Sequence, residues 1–497
     1  MGRKECLLAI DQGTTSSRAL AFALDGTVIA QAQQDFPQIY PKPGWVEHDP
    51  ETLWATTLST ARAALNQAME AGFHPLALGI TNQRETTLVW DRKTGIALHN
   101  AIVWQDRRTA DACHALKAQG HEEAVSAATG LVLDPYFSAT KLAWILDTVP
   151  GARAKAEAGE LAFGTVESFL IWRLTGGQVH ATDATNASRT SLFDIHQQRW
   201  SEPLLALFRC PRAVLPEVRD SAADFGTTDA ALLGVSIPIR GAAGDQQAAL
   251  IGQACFSAGS VKSTYGTGAF MVLNTGETAV RSSNRLLSTV AYRLDGKTTY
   301  ALEGSVLSAG STVQWLRDGL GLFAKASEIE ALAASAGDMT GIYLVPAFAG
   351  LGAPYWDPDA RGAILGLTRG TGRAELARAA LEATVYQTHD LFEAMAADGR
   401  SPTVLRVDGG MAANGWFLQR LADILAVPVV RPRSLETTAF GAACLAGLGI
   451  GAYASVEALT HLWQAGAQAE PRLNDTTRQT DLAGWRAAVQ RVLTSRF

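Results

Sequence analysis

The chain has 497 residues, 47% hydrophobic and 18% charged, too long for one hydrophobic core, so two large domains are expected. Its 42 basic side chains against 48 acidic ones leave a net charge of −6, which offers no electrostatic case for nucleic-acid or membrane-surface binding. No apolar run has the length of a bilayer span. Cys6, Cys113, Cys210, Cys255 and Cys444 are scattered with no CxxC among them, which argues against a zinc site or redox pair and for a reducing, cytoplasmic compartment.

In chain order, Cys6–Ile10 and Ala19–Leu24 are apolar runs that read as two strands of a hairpin. Between them, Asp11-Gln12-Gly13-Thr14-Thr15-Ser16-Ser17-Arg18 sets a carboxylate at the end of the first strand, then a glycine, four hydroxyl residues and an arginine. A carboxylate there can hold Mg²⁺, and turn amides with hydroxyls can hold phosphate oxygens; the same residues equally make a plain polar turn. Leu76–Ile80 and Thr86–Trp90 read as short core strands, with Arg84 and Glu85 between them. Ile237–Ala242 is a further strand. After it, Asp245 in Gly244-Asp245-Gln246-Gln247 can serve as a proton acceptor or as the N-cap of a helix over Gln246–Ile251.

Ser260–Leu273 repeats the N-terminal pattern, an apolar hairpin closed by Tyr265-Gly266-Thr267-Gly268. This echo implies two related domains facing a shared cleft, with a boundary near residue 253. Ser308–Leu316 reads as a helix start, and Ile342–Pro346, Val404–Val407 and Pro428–Val430 as strands. Arg373–Met395 reads as a helix with Leu381, Val385 and Phe392 on one face. Asp408-Gly409-Gly410 ends a strand and Met411–Asn414 open a helix, where the glycines either admit a ligand close to the backbone or simply make the turn. Gly441–Tyr453 suits a packed helix and turn. The alternation is that of an α/β protein.

Other nucleotide and hydrolase motifs fail. Gly296-Lys297-Thr298 ends like a Walker A loop, but Ala291 stands where its first glycine belongs. HExxH and GxSxG are absent.

Asp11–Thr15, Tyr265–Gly268 and Asp408–Gly410, in that order, resemble the two phosphate loops and the adenosine loop of the actin/hexokinase/heat-shock ATPase superfamily. Tyr136–Trp144, and Gly362–Leu367 with Glu375–Glu382, resemble signatures of its carbohydrate kinases. Gly79–Thr87, Trp104–Arg108 and Gly244–Gln247 are closer still to the glycerol kinase branch of that family, and the resemblance covers nearly the whole chain. It implies an α/β fold of two actin-like (ribonuclease H-like) domains, residues 1–253 and 254–497, flanking a nucleotide cleft. The first would carry most of the glycerol site and the first phosphate loop, the second the other phosphate loop and the adenosine loop. It further implies ATP-dependent phosphorylation of glycerol to sn-glycerol 3-phosphate, the first step of glycerol catabolism, by a homo-oligomer (dimer or tetramer).

By the same resemblance, the triol lies among Arg84, Glu85, Trp104, Tyr136, Asp245, Gln246 and Phe270, with Asp245 as catalytic base. Thr14, Thr15, Ser16, Arg18 and Thr267 hold phosphates, Gly310, Gln314, Gly410 and Asn414 hold adenosine or ribose, and Asp11 and Asp245 face Mg²⁺. The residue types suit these parts. Phosphoryl transfer is chiefly positioning and charge stabilisation, a carboxylate can take a hydroxyl proton, and Arg84 with Glu85 offers five donors and two acceptor oxygens. Each residue also has a plainer reading: a solvated charge pair for Arg84-Glu85, core packing for Trp104, Tyr136 and Phe270, an ordinary helix start for Gly310 and Gln314.

The chain departs from the family at three regulatory places. Ser236 stands where some members carry the arginine of a bisphosphate-binding Gly-Xaa-Arg loop, Asp220–Pro238 holds no phosphorylatable histidine, and Pro471–Trp485 differs from the surface that enteric members offer a sugar-transport regulator. Weak or absent control by these routes is expected. Two rivals stand beside glycerol phosphorylation: a kinase of the same family for another polyol or ketose, against which Arg84-Glu85 and Trp104–Arg108 weigh, and an actin-like nucleotide-binding module, which Asp245 disfavours.

Overall fold

The computed structural model describes residues 4–337, 341–398 and 401–494. Its first half is built on a five-stranded sheet. Strand β1 (Lys4–Gln12) pairs antiparallel with β2 (Ser16–Ala23), and β2 with β3 (Val28–Asp35). Helix α1 (Pro50–Glu70) leads to β4 (Phe73–Asn82), parallel to β1. Much later, after helix α2 (Ser138–Thr148), β5 (Ile239–Gly244) adds parallel to β4 and runs directly into α3 (Asp245–Gly252). The order is β5-β4-β1-β2-β3. The inner strands are buried on both faces, which is why they read as near-continuous apolar runs rather than as alternation.

The second half repeats the plan. Strands β6 (Val261–Tyr265) and β7 (Ala269–Gly276) form the hairpin. β8 (Leu287–Leu294) and β9 (Lys297–Val306) extend it antiparallel, ahead of α4 (Gly310–Gln314) and the long α5 (Arg373–Ala397). β10 (Leu405–Asp408) lies parallel to β6 and is followed by α6 (Gly415–Leu425). β11 (Val429–Pro432) is parallel to β10, and after α7 (Thr437–Gly449), β12 (Ala465–Ala469) closes the edge. The order is β8-β9-β7-β6-β10-β11-β12. Both halves thus share an antiparallel hairpin meander flanked by parallel strands, the two actin-like units that the family resemblance implied.

Local expectations shift in two places. The first hairpin's ladder runs on through Asp11↔Arg18 and Gln12↔Ser17, so the turn shrinks to Gly13–Thr15, closed by Gly13 N–H to the Ser16 carbonyl at 2.9 Å. The strand placed at Thr86–Trp90 begins at Leu88 and pairs with Leu161–Gly164 outside the main sheet, because the chain leaves that sheet at Glu85, whose φ is +59°. The Gly296 segment, whose Walker A pattern already failed in the sequence, is the tight β8–β9 turn, with the Gly296 φ at +73°.

Helix α7 belongs by sequence to the second half, yet it packs on β1, β4 and β5 of the first. A Cβ on Gly79 of β4 would stand 2.0 Å from the Ala442 carbonyl oxygen, and one on Gly441 of α7 1.8 Å from that of Ala248 in α3. Only glycine lets these backbones approach so closely. An apolar cluster drawn from both halves, with Leu250, Val272 and Cys444 among its members, seals the junction.

Candidate active site

Where the halves meet, Arg84 and Glu85 just past β4, Arg189 and, on β9, Glu303 come together, four arginine and glutamate side chains. Arg84, just past β4, is buried to 2% side-chain exposure. Its Nη1 and Nη2 donate to the two oxygens of Glu303 on β9 at 2.5 and 3.1 Å, and its Nε lies 3.1 Å from Asp245 Oδ1. Gly244 makes room for it, since a Cβ there would stand 2.6 Å from the arginine's stem. Arg189 completes the lattice, donating from Nε to Glu85 Oε1 at 2.7 Å and from Nη2 to Glu303 Oε1 at 2.9 Å. Glu85 Oε2 accepts no hydrogen bond among the described residues.

The charges hold one another. Burial would raise the Glu303 carboxyl, but the Arg189 and Arg84 guanidiniums bring it down to about 2. Burial lifts the Glu85 carboxyl above its ordinary range although both arginines oppose it. Removing any one partner would leave a buried charge uncompensated.

An aromatic wall faces this lattice. Trp104 meets Tyr136 and Phe270 edge-on at 5.6 and 5.9 Å, and Phe270 also lies under Arg84. The Tyr136 backbone is pinned by buried Lys141, whose Nζ donates to its carbonyl at 2.7 Å; burial pushes that ammonium down to about 8. The Tyr136 hydroxyl makes no hydrogen bond among the described residues. The Trp104 indole N–H donates to Thr14 Oγ1 at 3.0 Å, which joins the aromatic wall to the first turn.

Asp245 opens helix α3 without capping it, since Gly244 holds the N-cap position. Its Oδ1 accepts the Gln246 amide at 2.7 Å, and 30% of its side chain remains exposed. Asp11 on β1 lies within its electrostatic reach. Burial pushes the Asp11 carboxyl up to about 6, with Arg18 opposing and the negative charges of Asp245 and Glu436 adding to the rise. Arg18 sits 3.7 Å from Asp11 but makes its close ion pair with Glu436. This surplus of negative charge beside the first turn fits a divalent cation.

The remaining predicted residues lie on the turns. Thr15 and Thr267 are exposed, and Thr14 and Ser16 half-buried. The Gly266 and Thr267 carbonyls accept the amides of Gly310 and Ser311 at 2.9 and 3.1 Å, so α4 is docked on the second turn; Gln314 is exposed on it. Gly409 needs its glycine, with φ +85° and a Cβ that would stand 2.5 Å from the Tyr265 carbonyl oxygen, whereas Gly410 borders open space. Asn414 caps α6 through Oδ1, at 2.9 Å from the Phe417 amide, so its oxygen is engaged. Gln246 likewise spends its amide oxygen on the ammonium of Lys262.

Three buried charged residues escaped the reading of the sequence: Arg189, Lys262 and Glu303. Burial pushes Lys262 down to about 8, with Asp408 and Asp245 pulling it back. Their signal was a lone charge inside an apolar strand, Glu303 after Tyr300-Ala-Leu and Lys262 after Val261. Arg189, in a polar stretch, had none.

Residues 6–252 match the N-terminal domain, and residues 261–450 the C-terminal domain, of the FGGY family of carbohydrate kinases. The chain is 61% identical over 491 residues to a glycerol kinase of Rhodospirillum centenum, covering 99% of each chain. It is 61% identical over 486 residues to glycerol kinase 1 of Pseudomonas aeruginosa, covering 98% of each. Among solved structures it superposes on Plasmodium falciparum glycerol kinase with ADP at a TM-score of 0.92, with 35% identity and all of both chains covered. A xylulose kinase of Lactobacillus acidophilus, at 21% identity and TM-score 0.86 over 98% of this chain and 97% of that one, shares the fold.

Proposed function

Because the chain belongs to the FGGY family of carbohydrate kinases, we infer that it transfers the γ-phosphoryl group of ATP to a terminal hydroxyl of glycerol, giving sn-glycerol 3-phosphate and ADP. Asp245 carries this reading: it is the partly open carboxylate that Arg84 grips on one side and whose charge reaches Asp11 on the other. It therefore lies between an acceptor wall and a phosphate wall. Asp245 takes the hydroxyl proton as the acceptor oxygen bonds to the γ-phosphorus and the bridging bond to ADP breaks. Arg84, Glu85 Oε2 and the Tyr136 hydroxyl hold the triol's oxygens, while Trp104 and Phe270 cover its carbon face. Gln246 serves the site through Lys262.

Thr14, Thr15, Ser16, Arg18 and Thr267 face the phosphates, and Gly310, Gln314, Gly410 and Asn414 the adenosine, in the same proposal. Asp11, through waters, and Asp245 would hold Mg²⁺, which when bound neutralises phosphate charge. The half up to residue 253 then carries most of the acceptor site and the first phosphate turn, and the remainder the second turn and the adenosine loop. Movement of one half on the other would exclude water, which otherwise competes as acceptor.

No helix among the described residues is long and apolar enough to cross a membrane. A cytoplasmic location is supported by five cysteines, all free and buried, and cell fractionation tests it. Assembly as a dimer or tetramer rests on the family resemblance and is tested by light scattering. The deciding experiment for the activity is ADP release with and without glycerol, beside a panel of other polyols and ketoses. Glycerol-independent turnover, or preference for another acceptor, would overturn the reading.

A further inference from the structure

The peptides of the first turn are held by side chains from one side. The Gly13 carbonyl accepts from Gln12 Nε2 at 2.8 Å and from Gln83 Nε2 at 3.0 Å, and the Thr14 carbonyl accepts from Gln38 Nε2 at 2.8 Å. Both peptide bonds are trans, and in a planar trans peptide the C=O and the following N–H point in opposite directions. The Thr14 and Thr15 N–H groups therefore face away from these glutamines, and they donate to no group among the described residues. Thr15 is exposed and Thr14 half-buried, so two successive amides stand open, an arrangement that receives anions.

His48, just ahead of α1, decides how Gln38 is turned. A carbonyl oxygen only accepts, so the Gln38 atom facing Thr14 is its NH₂ group, and its Oε1 is left to accept from His48 Nε2 at 2.6 Å. His48 Nδ1 then carries the lone pair, and the Gln83 amide nitrogen faces it at 3.3 Å. Gln83 is fixed in turn by Thr86, whose hydroxyl donates to its Oε1 at 2.8 Å. The imidazole is fully buried, and burial pushes it down to about 4, so the neutral ring that this chain of donors requires is the one present at neutral pH. A glycine peptide left to itself turns over readily and would then present a carbonyl oxygen to an anion.

We propose that His48 and Gln38 are positioning residues of the nucleotide site, which hold the first turn so that its Thr14 and Thr15 amides, and not its carbonyl oxygens, meet the phosphates. The inference rests on the reading above that this turn receives phosphate.

The test measures dissociation constants of the full chain by calorimetry, for ADP with Mg²⁺ and separately for adenosine. In the wild type, ADP binds more tightly. Gln38→Met removes the donor to Thr14 at a half-buried position; the ADP Kd rises about 10-fold and the adenosine Kd stays as in the wild type. His48→Phe keeps a ring against Phe36, which meets the imidazole edge-on at 5.0 Å, but releases Gln38 Oε1. Its ADP Kd rises about 3-fold to 10-fold, again with adenosine unmoved. A purely structural role would lower the number of folded sites and leave the ratio of the two constants alone. A wild-type ratio, whether from two unchanged constants or from equal weakening of both ligands, overturns the proposal in either variant, so one folded variant decides it. A wild type that binds adenosine as tightly as ADP would instead sink the underlying reading of the turn, and the proposal with it.

Discussion

The proposed acceptor wall and the proposed nucleotide wall solve opposite problems. The proposed acceptor wall is a closed lattice in which Arg84, Arg189, Glu85 and Glu303 are almost wholly buried and held to one another by ion pairs. The nucleotide wall is open: exposed hydroxyls on Thr15 and Thr267, glycine turns at Gly13, Gly266 and Gly409, and the surplus charge of Asp11. A small neutral triol offers little binding energy, so its site must be held rigid beforehand. A polyphosphate with its metal brings strong charge of its own, and exposed amides and hydroxyls suffice to receive it. Asp245 stands on the seam between the two.

If that division is right, the largest effect belongs to the seam. Asp245→Asn should lower kcat about 10²-fold to 10⁴-fold while the ATP KM changes little; near-normal turnover in single-turnover and steady-state assays would remove Asp245 from the chemistry. Arg84→Ala comes next. It breaks a buried lattice on the acceptor side alone, so kcat/KM for glycerol should fall about 100-fold or more with ATP KM preserved. A loss of ATP affinity without a loss of glycerol affinity would erase the distinction between the walls.

Gly409→Ala strains the opposite wall, because a Cβ at φ +85° would press on the Tyr265 carbonyl. Its ATP KM should rise about 10-fold with glycerol KM unchanged, and the melting temperature should drop by a few degrees, about the size expected for strain of 1–3 kcal/mol. Calorimetry together with both KM values checks it. The smallest effect is expected outside both walls. A sugar bisphosphate at low micromolar concentration should leave the rate as it was, since Ser236 presents no guanidinium; strong inhibition would show a control site independent of that loop.

Much of the proposed nucleotide wall is readable in the one-dimensional record, because it is made of local turns. Asp11–Arg18 and Tyr265–Gly268 are hairpin tips whose glycines and hydroxyls are consecutive, and Asp408–Gly410 ends a strand in the same short-range way. The acceptor lattice was only half legible. Arg84 and Glu85 are neighbours in sequence and announced themselves, but Arg84 meets Glu303 across 219 positions and Glu85 meets Arg189 across 104. The roles of Gln246 and Asn414 also changed shape, since each spends its amide oxygen inside the protein.

The amino-acid order by itself determined the paired α/β units, the glycine- and hydroxyl-bearing turns and the family they mark, because each rests on short-range backbone chemistry: apolar periodicity, glycine torsions, hydroxyls next to a turn. Only the tertiary structure decided that α7 of one half supports the sheet of the other, and that Glu303 from the far half completes the Arg84 site. A buried charge is tolerable only beside its partner, and the partner's identity is a fact of three-dimensional packing that no local pattern contains.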